Sequence, residues 1–469
     1  MENSKTAAEI LTEKLLEDPK NAALIMSDEE IASADEFCEG YKSFLSVGKT
    51  ERLACNEAVR LAEEAGFAPY EKGREYKAGD RFYFVNRGKA IILTVMGEKP
   101  LAEGIRLAAA HIDSPRLDLK QHPLYEDKDM ALFKTHYYGG IKKYQWTTVP
   151  LALHGVVIRA DGSSVEINIG EDDGDPVFCV TDLLIHLADA QMKRTLADGV
   201  RGEELNILVG SRPFRDDKAS NLVKLNIMRI LNEKYGITEH DFVSAELEAV
   251  PACKAVDVGF DRSMVGSYGQ DDRVCAYGAL MAILGCDAPT YTCMTVLTDK
   301  EEIGSEGNTG LNSSYLPYFI DDLAELQGVK GHTVISNSIC LSADVNAAED
   351  PTFADVTESR NASKLGYGVV FTKYTGARGK SGTSDASAEF VGRIRKMMND
   401  GGVIWQTGEL GKVDAGGGGT VACYLADLDI DVIDLGVPVL SMHAPFEITS
   451  KLDTYQCYKA CTVFFDDKQ

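Results

Sequence analysis

Seven acidic and imidazole side chains carry whatever chemistry this sequence performs. His111 with Asp113, Glu301 with Glu302, Asp344 and His443 each follow an apolar, strand-like run, and Asp271 precedes an apolar helical one. Imidazole and carboxylate groups are the ligands that a pair of divalent cations takes, and the set leaves one carboxylate over to serve as a base. The chemistry implied is metal-assisted hydrolysis.

In open α/β sheets, functional side chains sit on loops beyond the carboxyl ends of the strands. His111 follows residues 106–110, Glu301 and Glu302 follow 294–297, Asp344 follows 339–343 and His443 follows 437–442, so four strand ends are expected at one rim. One histidine at a strand end is ordinarily a hydrogen-bonded structural group, and it is the coincidence of several that carries the reading. His122, His136, His154, His240 and His332 lack a neighbouring acid in such a setting and are read as structural.

The spacing divides the labour. His111 and Asp113 are two apart, which on extended backbone sends both to one side, so Asp113 can orient the ring; loss of such a partner typically costs about 10- to 100-fold in affinity or activity. Glu301 and Glu302 are adjacent and leave the backbone in different directions, so one can bind metal while the other takes a proton from water. Asp271 and Asp272 lie between Gly269 and the helical run, where one could bridge two cations or simply cap the helix, and spacing does not choose between them.

The elements that must hold these groups are legible in outline. The first 65 or so residues read as helices, with Ser27 and Glu30 as a capping box, Met26 and Ile31 as a hydrophobic staple, and Thr50 capping a stretch that ends at Gly66. Strands are expected at 81–86, 89–95 and 105–110. From about 121 to 254 the texture changes to short β-like pieces (156–158, 165–169), a polar turn region over 160–176, and helical patterns near 181–193 and 221–235, which reads as an inserted β-rich domain. It interrupts a unit formed by residues 1–120 and 255–469. In the second part, apolar runs such as 273–284, 292–297 and 332–342 alternate between helix and strand, which argues α/β. Gly416 to Gly419 lacks the lysine and hydroxyl of a phosphate loop and is read as a tight turn beside a site.

A chain of 469 residues exceeds what one hydrophobic core usually serves, so at least two domains are expected. Its net charge of -25, spread along the whole sequence, disfavours nucleic acid and anionic membranes as partners. No apolar run approaches the roughly 20 residues that span a bilayer, and the first residues lack the basic start and apolar core of a signal peptide. Eleven cysteines, an odd number mostly inside apolar stretches, read as buried thiols, and a reducing cytoplasm is the expected compartment.

Over most of its length the chain resembles the aspartyl aminopeptidases. The resemblance is carried, in order, by Ala110-His111-Ile112-Asp113-Ser114-Pro115, Gly269-Gln270-Asp271-Asp272, Asp299-Lys300-Glu301-Glu302-Ile303-Gly304-Ser305, Ser342-Ala343-Asp344 and Leu440-Ser441-Met442-His443. It implies a zinc-exopeptidase-type catalytic domain, with a central mixed β-sheet flanked by helices, interrupted by a β-rich domain that serves oligomerisation. It also implies two divalent cations, most simply zinc, although oxygen and imidazole ligands suit cobalt and manganese too. By position Asp271 would bridge the cations, His111 and Asp344 complete one, Glu302 and His443 complete the other, Glu301 act as base on a bridging water, and Asp113 orient His111. The substrates implied are peptides with a free N-terminus, and the particle implied is a homo-oligomer, commonly a tetrahedral dodecamer. His186 matches a histidine that reaches a neighbouring subunit's site, and Lys373 matches a lysine near the substrate pocket. The substrate-facing segments depart from the family pattern: Val345 to Pro351 replaces a histidine-rich stretch, and Trp146 is not followed by Phe-Asp-Arg. The preferred N-terminal residue is therefore left open.

Two rival readings accompany an aminopeptidase. A dinuclear deacylase or carboxypeptidase shares the ligand types but needs a basic clamp for a substrate carboxylate. A non-catalytic, self-assembling shell protein has no use for a complete ligand set plus a base.

Overall fold

The computed structural model describes residues 5–216, 218–376 and 378–468. Its centre is a nine-stranded mixed sheet in the order Ala68–Pro69, Arg81–Asn86, Ala90–Val95, Thr292–Thr298, Ile105–His111, Ile339–Ala343, Asp431–Gly436, Val369–Thr372, Trp405–Thr407. The four strands from Thr292–Thr298 to Asp431–Gly436 run parallel, with Thr298 in register with His111. Three of these four read as continuous apolar runs because both faces are covered, as parallel sheets require.

Alternate residues of each strand enter different cores. Ala108 and Ala110 face helices Asp28–Val47, Glu51–Glu64, Gln270–Gly285, Ala388–Asp400 and Lys451–Phe465, while Leu107 and Ala109 face Tyr315–Leu326, Gly331–Ser336 and Ala422–Ala426. The result is a three-layer α/β unit. At its N-terminal side the expected caps form: Ser27 Oγ accepts from the Glu30 amide at 3.2 Å, Glu30 Oε2 accepts from the Ser27 amide at 3.0 Å, and Thr50 caps the following helix. Met26 and Ile31 join one small apolar cluster, as a staple should.

Between Ile105–His111 and Met264–Ser267 the chain builds a separate seven-stranded sheet, in the order Ser164–Ile169, Leu151–Ile158, Ala245–Pro251, Arg116–Asp127, Met130–Tyr138, Ile207–Gly210, Cys179–Val180. All of its described pairings are antiparallel, and it encloses its own core around Trp146. A third sheet, of five short strands, joins Val256–Val258, Met264–Ser267, Glu447–Ser450, Pro438–Leu440 and Asn346–Ala347.

Three local expectations change. The helix read over 181–193 shrinks to a 3-10 turn, Ile185–Leu187, and one helical turn, Asp189–Met192. Of that stretch only Ala188 is buried, and Leu183, Leu184, Ile185, Leu187 and Met192 are exposed, so no packing within the chain supports a longer helix. The polar turn region at 160–176 is interrupted by strand Ser164–Ile169, which the β-like piece at 165–169 anticipated, and the apolar run 332–342 divides into helix Gly331–Ser336 and strand Ile339–Ala343. Among the described residues no helix is long and apolar enough to cross a membrane, and the eleven cysteines are free thiols, most of them buried.

Candidate metal centre

Parallel strands end at a common rim, and the structure delivers three of the predicted segments there. His111 is the last residue of its strand; Asp344 follows Ile339–Ala343, its amide bonded to Leu435 O at 3.1 Å; and Glu301 and Glu302 occupy a 3-10 turn two residues beyond Thr292–Thr298. The fourth strand end is a correction. His443 follows Pro438–Leu440, which belongs to the five-stranded sheet, and reaches the site from a loop in which Ser441 and His443 both have positive φ.

Asp271 lies at the centre. Its Oδ1 is 3.1 Å from His111 Nε2 and its Oδ2 is 3.0 Å from His443 Nε2, so one carboxylate faces both imidazoles through different oxygens. On the His111 side, Asp344 Oδ1 and Glu301 Oε2 each lie 3.9 Å from Nε2. On the other, Glu302 Oε2 is 3.4 Å from His443 Nε2. Asp272, left open by the sequence, is fully buried beside Cys275 and belongs to neither group of ligand atoms.

Asp113 does more than its spacing suggested. His111 Nδ1 lies 3.0 Å from the Asp113 backbone carbonyl and 3.4 Å from its carboxylate. That carboxylate accepts the amides of Glu301 and Glu302 at 3.1 and 3.2 Å and the Tyr138 hydroxyl at 2.7 Å. One buried acid therefore fixes the ring and the turn that carries both glutamates.

The electrostatics are those of a site short of positive charge. Burial pushes Glu301 up to about 7, and drives Glu302 and Asp344 well above the carboxylate range. Burial also works against charging the histidines, yet the hydrogen bonds that His111 donates to Asp113 and Asp271 hold it well above its usual value, and Asp271 lifts His443 to about 10. Asp271 is itself held low against its burial by the hydrogen bonds of both rings. Among the described residues, Asp271, Glu301, Glu302 and Asp344 make ion pairs with histidine alone, and the buried Oε1 of Glu302 has no hydrogen-bond partner. Four carboxylates gathered in low dielectric without lysine or arginine call for cations. Ligand atoms of His111, Glu301 and Asp344, and of His111, Asp271 and Glu302, lie within 4.8 Å of one another in each group. The donor set, oxygen and imidazole without thiolate, fits divalent metal.

A cleft of about 440 Å³ opens over these groups. Val345, Asn346, Thr375, Leu410, Tyr424 and Met442 contribute to its walls, and Gly417 to Gly419 line it as the turn beside a site that the sequence suggested. His186 and Lys373 do not line it. His186 is exposed in its 3-10 turn, and Lys373 is ion-paired with Asp385.

Sequence reasoning missed Glu447. This fully buried carboxylate accepts the amides of Gln270 and Asp271 through Oε2, at 2.6 and 3.2 Å, and the amide of His443 through Oε1 at 2.7 Å. It thereby ties the two central ligand segments together. The available signal was faint: an acid four residues after His443, at the start of strand Glu447–Ser450.

Comparison with known proteins identifies the family. The model of the family described as aminopeptidase I zinc metalloprotease (M18) matches residues 44–465. A probable M18 family aminopeptidase 1 of Clostridium acetobutylicum is 50% identical over 461 residues, covering 97% of this chain and 99% of the relative. The crystal structure of an M18 family aminopeptidase from Thermotoga maritima superposes with a TM-score of 0.92 at 46% identity, covering 96% of this chain and 100% of that one. A structure described as the S. cerevisiae mApe1 dodecamer shares the fold, with a TM-score of 0.74 at 19% identity over 93% of this chain and 96% of that one. The resemblance to the aspartyl aminopeptidases thus holds at the level of the family: the chain belongs to the M18 zinc metalloproteases and is a metalloaminopeptidase.

Proposed function

We propose that this aminopeptidase removes N-terminal residues from peptides with a dinuclear site, in which Asp271 bridges two cations, His111 and Asp344 complete one and Glu302 and His443 complete the other. The observation that carries the reading is the placement of the two Asp271 oxygens, 3.1 Å from His111 and 3.0 Å from His443. Bound cations, most simply zinc and alternatively cobalt or manganese, would polarise the scissile carbonyl, lower the pKa of the attacking water and stabilise the developing oxyanion.

The chain's own groups do the rest. Glu301 is the more accessible of the two glutamates, its side chain 18% exposed against 3% for Glu302, so it meets the water from the cleft while Glu302 stays with the metal. Glu301 takes a proton from the attacking water on its carboxylate and returns it to the leaving amine. Asp113 holds the Glu301 and Glu302 amides and the His111 ring during the exchange. The acidic surroundings of the cleft suit a substrate's protonated α-amino group, which favours an aminopeptidase over a carboxypeptidase or deacylase. Among the described residues, no lysine or arginine lines the cleft to clamp a substrate carboxylate.

Residues 1–120 and 255–469 are proposed as the catalytic domain and 121–254 as the inserted, oligomerising one. The exposed apolar run from Leu183 to Leu187 supports assembly as a homo-oligomer, with the tetrahedral dodecamer as the expected form, His186 acting across the interface and Lys373 near the substrate path. A cytoplasmic location accords with the free, mostly buried thiols.

The test is Glu301→Gln. The variant is expected to keep its metal and its assembly while hydrolysis of aminoacyl amides falls by about 10²- to 10⁴-fold, the contribution of a positioned base. Undiminished hydrolysis by a metal-loaded Glu301→Gln protein refutes the assignment.

A further inference from the structure

His111, Asp271, Glu301, Glu302 and Asp344 are carried by the three-layer unit, and the inserted sheet reaches them through the end of one of its strands. Strand Met130–Tyr138 ends at the rim, and the two residues after it turn back over the site. Tyr138 is 8% exposed, and its hydroxyl donates to Asp113 Oδ2 at 2.7 Å. Gly140 O accepts from His443 Nδ1 at 2.8 Å. At Gly139, between them, φ is +73° and an added Cβ would come within 3.3 Å of Glu302 Oε2, so glycine alone fits the turn at this closeness.

Tyr138 is itself anchored. The Arg116 guanidinium lies over its ring, 3.9 Å from the centroid. Arg116 is buried and paired with Glu51 at 3.3 Å, Asp118 at 2.8 Å and Glu248 at 3.2 Å. Glu51 begins a helix of the catalytic unit, whereas Asp118 and Glu248 stand on strands of the inserted sheet. The phenol is therefore held from behind by a charge cluster that spans both parts of the chain, and it delivers its proton to the acid that organises the metal site.

Resting on the dinuclear reading above, we propose that Tyr138 is a positioning residue of the inserted sheet: its hydroxyl aims the Asp113 carboxylate at His111 and at the Glu301 and Glu302 amides. The carboxylate has two oxygens and four neighbours to satisfy, namely the two amides, the ring nitrogen of His111 and the phenol. The Glu301 amide meets Oδ1, which also faces His111, and the Glu302 amide meets Oδ2, which the Tyr138 hydroxyl shares through the shortest of these contacts. Without the phenol, Oδ2 keeps only the longer contact from the Glu302 amide, and the carboxylate shared by the His111 ring and the glutamate turn is held less firmly. Catalytic competence is thereby tied to docking of the inserted sheet, independently of any contact between subunits.

Tyr138→Phe removes one oxygen and keeps the ring under Arg116. Zinc affinity, measured by competition with a chromogenic chelator on the metal-free protein, is expected to fall by about 10- to 100-fold, the usual loss when a ligand's hydrogen-bonded support is removed. In the reloaded enzyme kcat should fall while KM stays close to wild type, and the visible absorption of the cobalt-substituted protein should shift. Because Tyr138 acts through Asp113, the double variant Tyr138→Phe with Asp113→Asn should be no weaker in zinc affinity than Asp113→Asn alone. Wild-type zinc affinity and cobalt spectrum in Tyr138→Phe, or losses that add in the double variant, overturn the proposal. A wild-type protein that takes up no cation would instead remove the dinuclear reading itself.

Discussion

Glu447→Gln is a demanding test of how the site is held together, because it preserves shape and removes one acceptor. In the wild type, one carboxylate oxygen takes two amides, from Gln270 and Asp271, and the other takes the amide of His443. Glutamine has a single acceptor oxygen. If that oxygen stays with Gln270 and Asp271, the new NH2 group faces the His443 N–H, and a buried donor is left without a partner. Above about pH 8, where Glu447 is ionised, losing a hydrogen bond to the charged group costs about 1.5–3 kcal/mol, and the stranded donor about 1–3 kcal/mol more. Part of this is offset, since burial and the negative charge of Asp271 already push Glu447 up to about 8, and the amide removes that repulsion. The net expectation is about 3 kcal/mol, divided between folding and cation binding. If all of it fell on binding, zinc affinity would drop by roughly 100-fold. Urea unfolding of the metal-free protein gives the first share, and chelator competition on the folded variant gives the second. The two shares should sum to the predicted cost. A variant within about 0.5 kcal/mol of wild type in both measurements, the range of an ordinary surface substitution, would refute the reasoning.

Two further outcomes follow from particular groups. Burial raises Asp434 to about 6, against the pull of the Thr420 and Ser342 hydroxyls that donate to it. The unfolded chain releases that proton near the ordinary Asp value, so the folded state holds the extra proton between about pH 4 and 6, and this contribution to stability is lost as pH rises through that window. Asp434→Asn keeps an acceptor for both hydroxyls and does not ionise; in metal-free protein its urea midpoint should gain on wild type between pH 4 and 7, and a constant difference contradicts this. His186→Ala should lower turnover in the assembled particle without changing the thermal midpoint of the chain, and full activity in that particle would remove His186 from the site.

The strands were legible where burial leaves only one reading. Strand Ile105–His111 is buried at all seven positions, and its sequence is correspondingly apolar apart from Arg106 and the terminal histidine. The convergence of the candidate ligands was legible for a related reason: a histidine or acid just after such a run leaves the packed layer at the strand's carboxyl end. What escaped was set by backbone geometry at long range. The choice between Asp271 and Asp272 was not in their spacing; the family resemblance named Asp271, and it is the Asp271 carboxylate that faces both histidines. Glu447 binds amides 176 and 177 positions away, a relation with no periodicity to betray it. Residues 181–193 show the opposite failure: their apolar spacing is real, but among the described residues only Ala188 of that stretch is buried, and the helix shortens to one turn.

Anomalous diffraction from a crystal of zinc-loaded protein, recorded at the zinc edge, tests the central claim most directly. The account predicts two peaks of comparable height, one on each side of the Asp271 carboxylate, the first against His111 and Asp344 and the second against Glu302 and His443. A single peak, or two that do not share Asp271, would contradict it.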